Sequence, residues 1–402
     1  MKLGIVLSQP FNYSLGTDAR VRGIVNSLSD CEIEIHLFVP VKSEVPLGNV
    51  ARIHYLPVLP EKMGVSLKIY TFVRKTFNNH FMNQLIPAGI NNMLWNKVVS
   101  SYATKLFEIV PRLDLDILHA QQQLAALACI KLRHKLDIPI IADLHGSLAE
   151  ELTASGAMRH ESSQIKTIKR LEKEICLKSD RVVTISEEMK NYLIKTYSIP
   201  KEKIVIIPNP VRLKVDHIET VSNPHKVVFS GMLTHRENID LFIRSAPLVK
   251  KTHPHVEFYI TGGTGERRLK AQRLAASLGI VIHFKWFPTS EELFTFLKSC
   301  HIGVIPSICD IARKMSYPAK LFDYLSVGLP VVANDVGTWT NLIKNSKVGI
   351  VTESTPQGFA RGISRLLDDP ELRNVCGQNA LKFIKLRSRS IEKLVKLYES
   401  LS

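Results

Sequence analysis

Lys320 and Asp323 stand three residues apart in a segment that reads as a helix, ends at Gly328 and feeds an apolar strand from Pro330. Three-residue spacing puts both on one helix face, close to a strand's edge. A cation and a carboxylate held there suit a ligand that offers anionic phosphates together with neutral hydroxyls. The plainer reading is an ion pair within the helix, which is common and weak. Other groups with chemical potential also follow strands. His145 comes after an Ile-Ile-Ala run beside Gly146, where an imidazole can exchange a proton or bond a hydroxyl near neutral pH, with Asp143 as an orienting partner. A lone histidine is otherwise a structural residue. Arg236 follows Gly231 in the turn before a helix, where its guanidinium can bind diphosphate oxygens in pairs, or else meet Glu237 or solvent. The Gly262-Gly263 turn lets backbone amides approach a ligand closely, and Gly16 opens a helix whose free N–H groups can receive an anion or simply make a turn. The Gly16 loop is not G-x-G-x-x-G, which argues against a dinucleotide-dependent dehydrogenase.

The elements that must position these residues alternate. Residues 3–7, 33–39, 117–119, 138–143, 181–185 and 204–207 read as strands with helices between, and a second series covers 226–230, 256–261, 280–286, 302–306, 330–333 and 349–351. This is the pattern of doubly wound α/β sheets. The 402 residues are enough for two cores, so the expected domains are 1–207 and 225–388, with a linker at 208–224. Such domains would face each other across a cleft at the carboxyl ends of their strands.

Residues 62–112 break the alternation. They hold seven Lys or Arg against one acid, Glu108, interleaved with Tyr70, Phe72, Phe77, Phe81, Trp95 and Tyr102. Such a mixture suits either an interface with anionic lipid or a solvated helical excursion over the first domain. The net charge of +16 favours an anionic partner without choosing among nucleotide, membrane and nucleic acid, although no nucleic-acid motif is visible. Six cysteines without a C-x-x-C pair read as small buried hydrophobes in a reducing, cytoplasmic setting. No apolar run reaches the ~18–20 residues that cross a bilayer, and none at the start resembles a secretory signal, so membrane contact is expected to be peripheral.

Taken together, these residues resemble the retaining glycosyltransferases of family four, which have the GT-B fold of two Rossmann-like domains. The resemblance runs through Asp18-Ala-Arg-Val21, Asp116-Ile-Leu-His119, Asp143-Leu-His145, Asp180-Arg-Val-Val-Thr-Ile-Ser-Glu187, Ile207-Pro-Asn-Pro-Val211, the Gly231 and Gly262 loops, and Lys320-Leu-Phe-Asp323. It implies an acceptor-binding first domain, a second domain that binds a UDP- or GDP-sugar, and a C-terminal helix at 389–402 packed on the first. By the same resemblance His145 and Asp143 are the catalytic candidates, and Gly16, Gly231, Arg236, Gly262, Gly263, Lys320, Leu321 and Asp323 bind donor, with Asp323 on the ribose. No metal or other cofactor is implied. The expected acceptor is a glycolipid, polysaccharide or glycan.

Two departures stand out. Met315 replaces the first of the family's two glutamates, and Asp323 stands for the second; Met232 replaces an arginine after the loop glycine. Contacts to the donor sugar would then come from Asp310 or Ser316, or from backbone groups after Ser307. These departures motivate a non-catalytic nucleotide-sugar-binding partner as one alternative; a sugar-nucleotide epimerase of the same architecture is another.

Overall fold

The computed structural model describes residues 1–7, 16–29, 31–40, 51–57, 88–211, 213–217, 224–234, 236–387 and 390–402, and of 16–19 and 88–95 the backbone alone. The expected contributions of Tyr70, Phe72, Phe77 and Phe81 lie outside the described residues, as does the side chain of Trp95.

The chain divides into two compact units, residues 1–210 with 390–402, and residues 211–389. In the first, the order is β1 (Lys2–Leu7), α1 (Gly16–Leu28), β2 (Glu34–Val39), β3 (Ala51–Tyr55), α2 (Ala88–Ile109), β4 (Ile117–Gln121), α3 (Gln122–Leu132), β5 (Ile140–Leu144), α4 (Leu148–Ala154), α5 (Ser163–Lys178), β6 (Arg181–Thr184), α6 (Glu187–Tyr197) and β7 (Ile204–Ile206). The second runs β8 (Lys226–Ser230), α7 (Ile239–Lys250), β9 (Glu257–Thr261), α8 (Gly265–Ser277), β10 (Ile282–Lys285), α9 (Ser290–Lys298), β11 (Ile302–Ile305), α10 (Ile311–Met315), α11 (Ala319–Ser326), β12 (Val331–Asn334), α12 (Thr338–Ser346), β13 (Gly349–Thr352), α13 (Pro356–Asp368) and α14 (Pro370–Arg387). The last helix, α15 (Ser390–Glu399), belongs again to the first unit, where Leu394, Leu397 and Tyr398 join the core beside Leu3, Ile5 and Val183.

Among the described residues each unit holds one parallel sheet, ordered β3-β2-β1-β4-β5-β6-β7 and β10-β9-β8-β11-β12-β13. Both orders reverse direction beside their first strand, between β1 and β4 and between β8 and β11. At such a switch the connecting helices depart to opposite faces, which leaves a crevice at the strands' carboxyl ends. His145, Gly231 and Gly262 all follow strand ends at or next to these points.

The central strands are buried along nearly their whole length, as parallel strands covered on both faces must be. β3 was not expected from sequence. Its Ala-Arg-Ile-His-Tyr run is a half-exposed edge strand, so neither an apolar run nor a clean alternation marks it. Tyr102 departs from the interfacial reading of 62–112. It is fully buried, and its hydroxyl donates to Leu7 O at 2.6 Å and lies 3.1 Å from Phe38 O, tying α2 to the ends of β1 and β2. In the stretch expected to link the domains, Val211 and Leu213 pack against the second unit's core.

Candidate functional site

In the second unit, three loops converge at the ends of β8, β9 and β11. Gly231 N donates to Thr261 O at 2.9 Å, and a Cβ at position 262 would stand 2.9 Å from Gly231 O, so the two turns touch backbone to backbone. Gly231 and Gly262 adopt φ +121° and +89°, a region that side chains strain to enter. Beyond Gly231 the loop pairs with the loop after β11: Glu237 bridges Ser307, and Ile308 N donates to Arg236 O at 3.0 Å. Ser307 is itself held by Asn334, whose side chain accepts from its N–H at 2.7 Å and donates to its carbonyl at 2.9 Å.

Helix α11 brings Lys320 to this junction. The helix is pinned by Tyr324, whose hydroxyl accepts from Ser230 N at 2.7 Å and lies 3.3 Å from Val228 O and Val304 O. Lys320 Nζ lies 2.9 Å from Glu237 Oε2 and 4.8 Å from the centre of the Phe229 ring, while Arg313 Nη2 donates to Glu237 Oε1 at 2.9 Å. The three charged side chains are nearly buried and sum to one positive charge. Burial alone would raise the Glu237 carboxyl, but Lys320 and Arg313 outweigh it and hold it below its usual range. Burial lowers the Lys320 ammonium more than Glu237 raises it.

Sequence reading missed Glu237 as the shared partner of Lys320 and Arg313. The pattern showed only Arg236 next to Glu237; the pairing with α10 and α11 joins positions 76 and 83 residues further along the chain (313 − 237 and 320 − 237). Gly231, Gly262, Gly263 and Lys320 are brought together. Leu321 is a correction: its side chain is fully buried in the second unit's core and its N–H donates to Pro318 O, so it packs the helix and offers a ligand neither group. Asp323 is partly buried on the same helix. Asp310 Oδ1 caps α10 by accepting from Arg313 N at 2.6 Å, and Ser316 Oγ turns back to Ala312 O at 3.0 Å. Both candidate sugar contacts thus serve their own helix. Met315 is buried and Met232 exposed.

In the first unit, Asp143 is the centre of a buried network. Its Oδ2 receives Arg20 Nε at 2.8 Å, His119 Nε2 at 3.1 Å and Gln121 Nε2 at 3.2 Å. Oδ1 faces His145 Nε2 at 3.3 Å. The guanidinium of Arg20 also donates from Nη1 to Ile207 O and Asn209 Oδ1, both at 3.0 Å. Burial would raise the Asp143 carboxyl, but Arg20, His145 and the His119 bond together hold it well below the usual carboxylate range. His145 is 12% exposed, and its Nε2 also meets Gln121 Oε1 at 3.1 Å. Burial lowers the imidazole against the upward pull of Asp143, which leaves His145 neutral at pH 7. Because both neighbours of Nε2 accept, the proton sits there and Nδ1 carries the lone pair. Asp143 has no exposed surface with which to touch a substrate. Gly16 begins α1, but the loop before it, 8–15, lies outside the described residues.

Among the described residues no cluster of three or more His, Cys, Asp or Glu side chains is arranged to hold a metal ion, and no helix is long and apolar enough to cross a membrane.

Comparison with known proteins finds two family models in tandem. The model described as Glycosyltransferase Family 4 matches residues 16–215, and that described as Glycosyl transferases group 1 matches residues 214–383. An uncharacterized glycosyltransferase of Methanocaldococcus jannaschii is 23% identical over 342 residues, covering 81% of this chain and 82% of its own. Among solved structures, sucrose-phosphate synthase from Thermosynechococcus elongatus superposes with a TM-score of 0.74 at 15% identity, over 100% of this chain and 99% of its own. The Anabaena HepE protein in complex with UDP gives 0.69 at 15% identity, over 100% of both chains. The shared architecture is the GT-B fold of two parallel-sheet α/β domains.

Proposed function

This chain belongs to the group 1 glycosyltransferases, and from that premise we propose that it moves a sugar from a UDP-sugar to a hydroxyl of a glycan, polysaccharide or glycolipid, with retained anomeric configuration. The observation that carries the reading is the meeting of the Gly231 and Gly262 turns with Lys320: the lysine Nζ is 3.7 Å from where a Cβ at 231 would stand. Amide-lined turns without side chains admit a diphosphate closely, and a partly compensated cation pair beside them receives its charge. The UDP complex of a protein with the same fold favours uridine over guanosine as the base.

In this reading unit 2 holds the donor. Lys320, Arg313 and Arg236 face the diphosphate, Gly262 and Gly263 the nucleoside, and Asp323 the ribose hydroxyls. Gly16 serves the phosphates. Departure of the diphosphate breaks the bond from its oxygen to the anomeric carbon. The acceptor oxygen forms its bond on the same face, and its proton passes to the departing phosphate. Unit 1 supplies the acceptor-binding surface, and the lone pair on His145 Nδ1 accepts a bond from a hydroxyl of the transferred sugar. The buried Met315, which can accept no sugar hydroxyl, favours a second reading in which the chain binds nucleotide-sugar without transferring it.

Calorimetry and thermal shift with UDP, GDP, ADP and their common sugars, with and without magnesium, test the reading. UDP should stabilise the protein, and Lys320→Ala should abolish most of that gain. Silence toward every nucleotide would sink both readings. Binding without hydrolysis or transfer of any sugar would leave only the second.

A further inference from the structure

We infer that Tyr398, in the helix that returns from the second unit, is a positioning residue for His145: working through His119, it keeps one oxygen of Asp143 reserved for the imidazole of His145. The inference rests on the proposed role of His145 in the transfer site.

Tyr398 is fully buried, and its hydroxyl lies 2.7 Å from His119 Nδ1. Burial pushes the phenol well above its usual range and Asp143 pushes it further, so it remains an O–H donor. At the other end of the ring, His119 Nε2 is 3.1 Å from Asp143 Oδ2, an atom that can only accept. One tautomer satisfies both contacts: Nε2 carries the proton toward Asp143, and Nδ1 accepts from Tyr398. The reverse tautomer would point a lone pair at a carboxylate inside the core. Gln121 Nε2 lies 3.2 Å from His119 Nε2 because both groups aim at the same oxygen.

The result is an asymmetric carboxylate. Three fixed donors, on α1, β4 and again β4, converge on Oδ2, while among the described residues Oδ1 has only His145 opposite it. Asp143 is thus held against rotation, and its other oxygen, 3.3 Å from His145 Nε2, works with Gln121 Oε1 at 3.1 Å to keep the proton of His145 on Nε2 and the lone pair on Nδ1. An orienting carboxylate behind an imidazole acts this way when its own position is secured. Among the described residues, the charged or titratable groups facing this system are Arg20 on α1, His119 on β4, Asp143 on β5 and Tyr398 on α15. Core packing alone accounts for the ring of Tyr398, since a phenylalanine would fill the same space; it does not account for a hydroxyl pointed at the histidine that bonds Asp143 Oδ2.

The full-length protein with labelled histidine, carrying Tyr398→Phe, is the test, with the His145 titration followed by NMR and assigned through His145→Gln. Losing the phenol frees His119 to abandon Asp143, so the carboxylate is less compensated and the His145 titration moves to higher pH. With a competent donor and acceptor, kcat falls about tenfold while the donor KM is unchanged. A folded variant whose His145 titration coincides with wild type overturns the inference. Should Tyr398→Phe not fold, His119→Leu removes the donor itself and must move the same titration upward; an unmoved curve there also overturns it. The titration needs no turnover, so a shifted curve in a protein that transfers no sugar supports the positioning while refuting the proposed activity.

Discussion

Lys320 Nζ and Glu237 Oε2 lie 2.9 Å apart, with side chains 9% and 6% exposed, and the opposite oxygen of Glu237 holds Arg313. A carboxylate in this place compensates two buried cations and competes with any anion that approaches them. Glu237→Gln therefore has two effects of opposite sign. The unliganded protein loses about 3 kcal/mol, because two cations are left in a dry site. UDP, supplying the missing negative charge, binds more tightly. Chemical denaturation and calorimetry on the same variant read both; weaker UDP binding would mean that Glu237 serves the ligand and not the cations.

Tyr324 carries α11 to the β8 and β11 ends through one hydroxyl. Tyr324→Phe preserves the ring's packing but leaves the buried N–H of Ser230 without an acceptor. The expected cost is about 1–2 kcal/mol. Urea denaturation should show a lower midpoint with the slope unchanged.

Gly303 faces the same ring. A Cβ there would stand within 2.8 Å of three Tyr324 carbons, closer than packing permits. Gly303→Ala must displace the tyrosine or the strand, at about 1–3 kcal/mol. Combined with Tyr324→Leu, which shortens the side chain, the penalty of the alanine should shrink, and a double-mutant cycle measures that coupling.

Stability should depend on pH in two separate windows. His145 titrates below its ordinary value of 6.5 when folded, so the unfolded chain takes up the proton first and stability falls as pH drops from about 6.5 to the folded value. His54 and His225, also lowered, add to the same window. Asp143 and Glu237 have depressed carboxyls, so their contribution is complete above the ordinary values of 3.8 and 4.5 and is lost as pH falls through the folded ones. His145→Gln should flatten the first window and leave the second; equal slopes in variant and wild type between pH 5 and 7 would contradict the neutral, buried imidazole.

Much of the fold was legible because parallel strands buried on both faces must be continuous apolar runs. The expected strand at 226–230 coincides with β8, and the others of both series differ from β1, β2, β4–β7 and β9–β13 by one or two residues at one or both ends. β5 begins after Pro139, since proline lacks the N–H that the ladder uses. The glycines of the Gly231 and Gly262 turns were readable for a similar reason: a turn that must touch another backbone excludes a Cβ whatever surrounds it.

Pairing was not legible. Lys320 and Asp323 looked like mutual partners because helical spacing is the only geometry that a short stretch of sequence contains, whereas the ion pair of Lys320 is with Glu237. The same holds in the first unit, where Asp143 meets Arg20 from α1 and His119 from β4, and His119 meets Tyr398 from 279 residues away. The residue types and local periodicity by themselves determined two parallel α/β sheets and the turns that end their strands, since those depend on backbone sterics and on burial over a few residues. Which charges neutralise one another, and therefore which side of each carboxylate remains for chemistry, was decided by strand order at the two switch points and by the return of α15, because electrostatic and hydrogen-bond partners are chosen by distance in space.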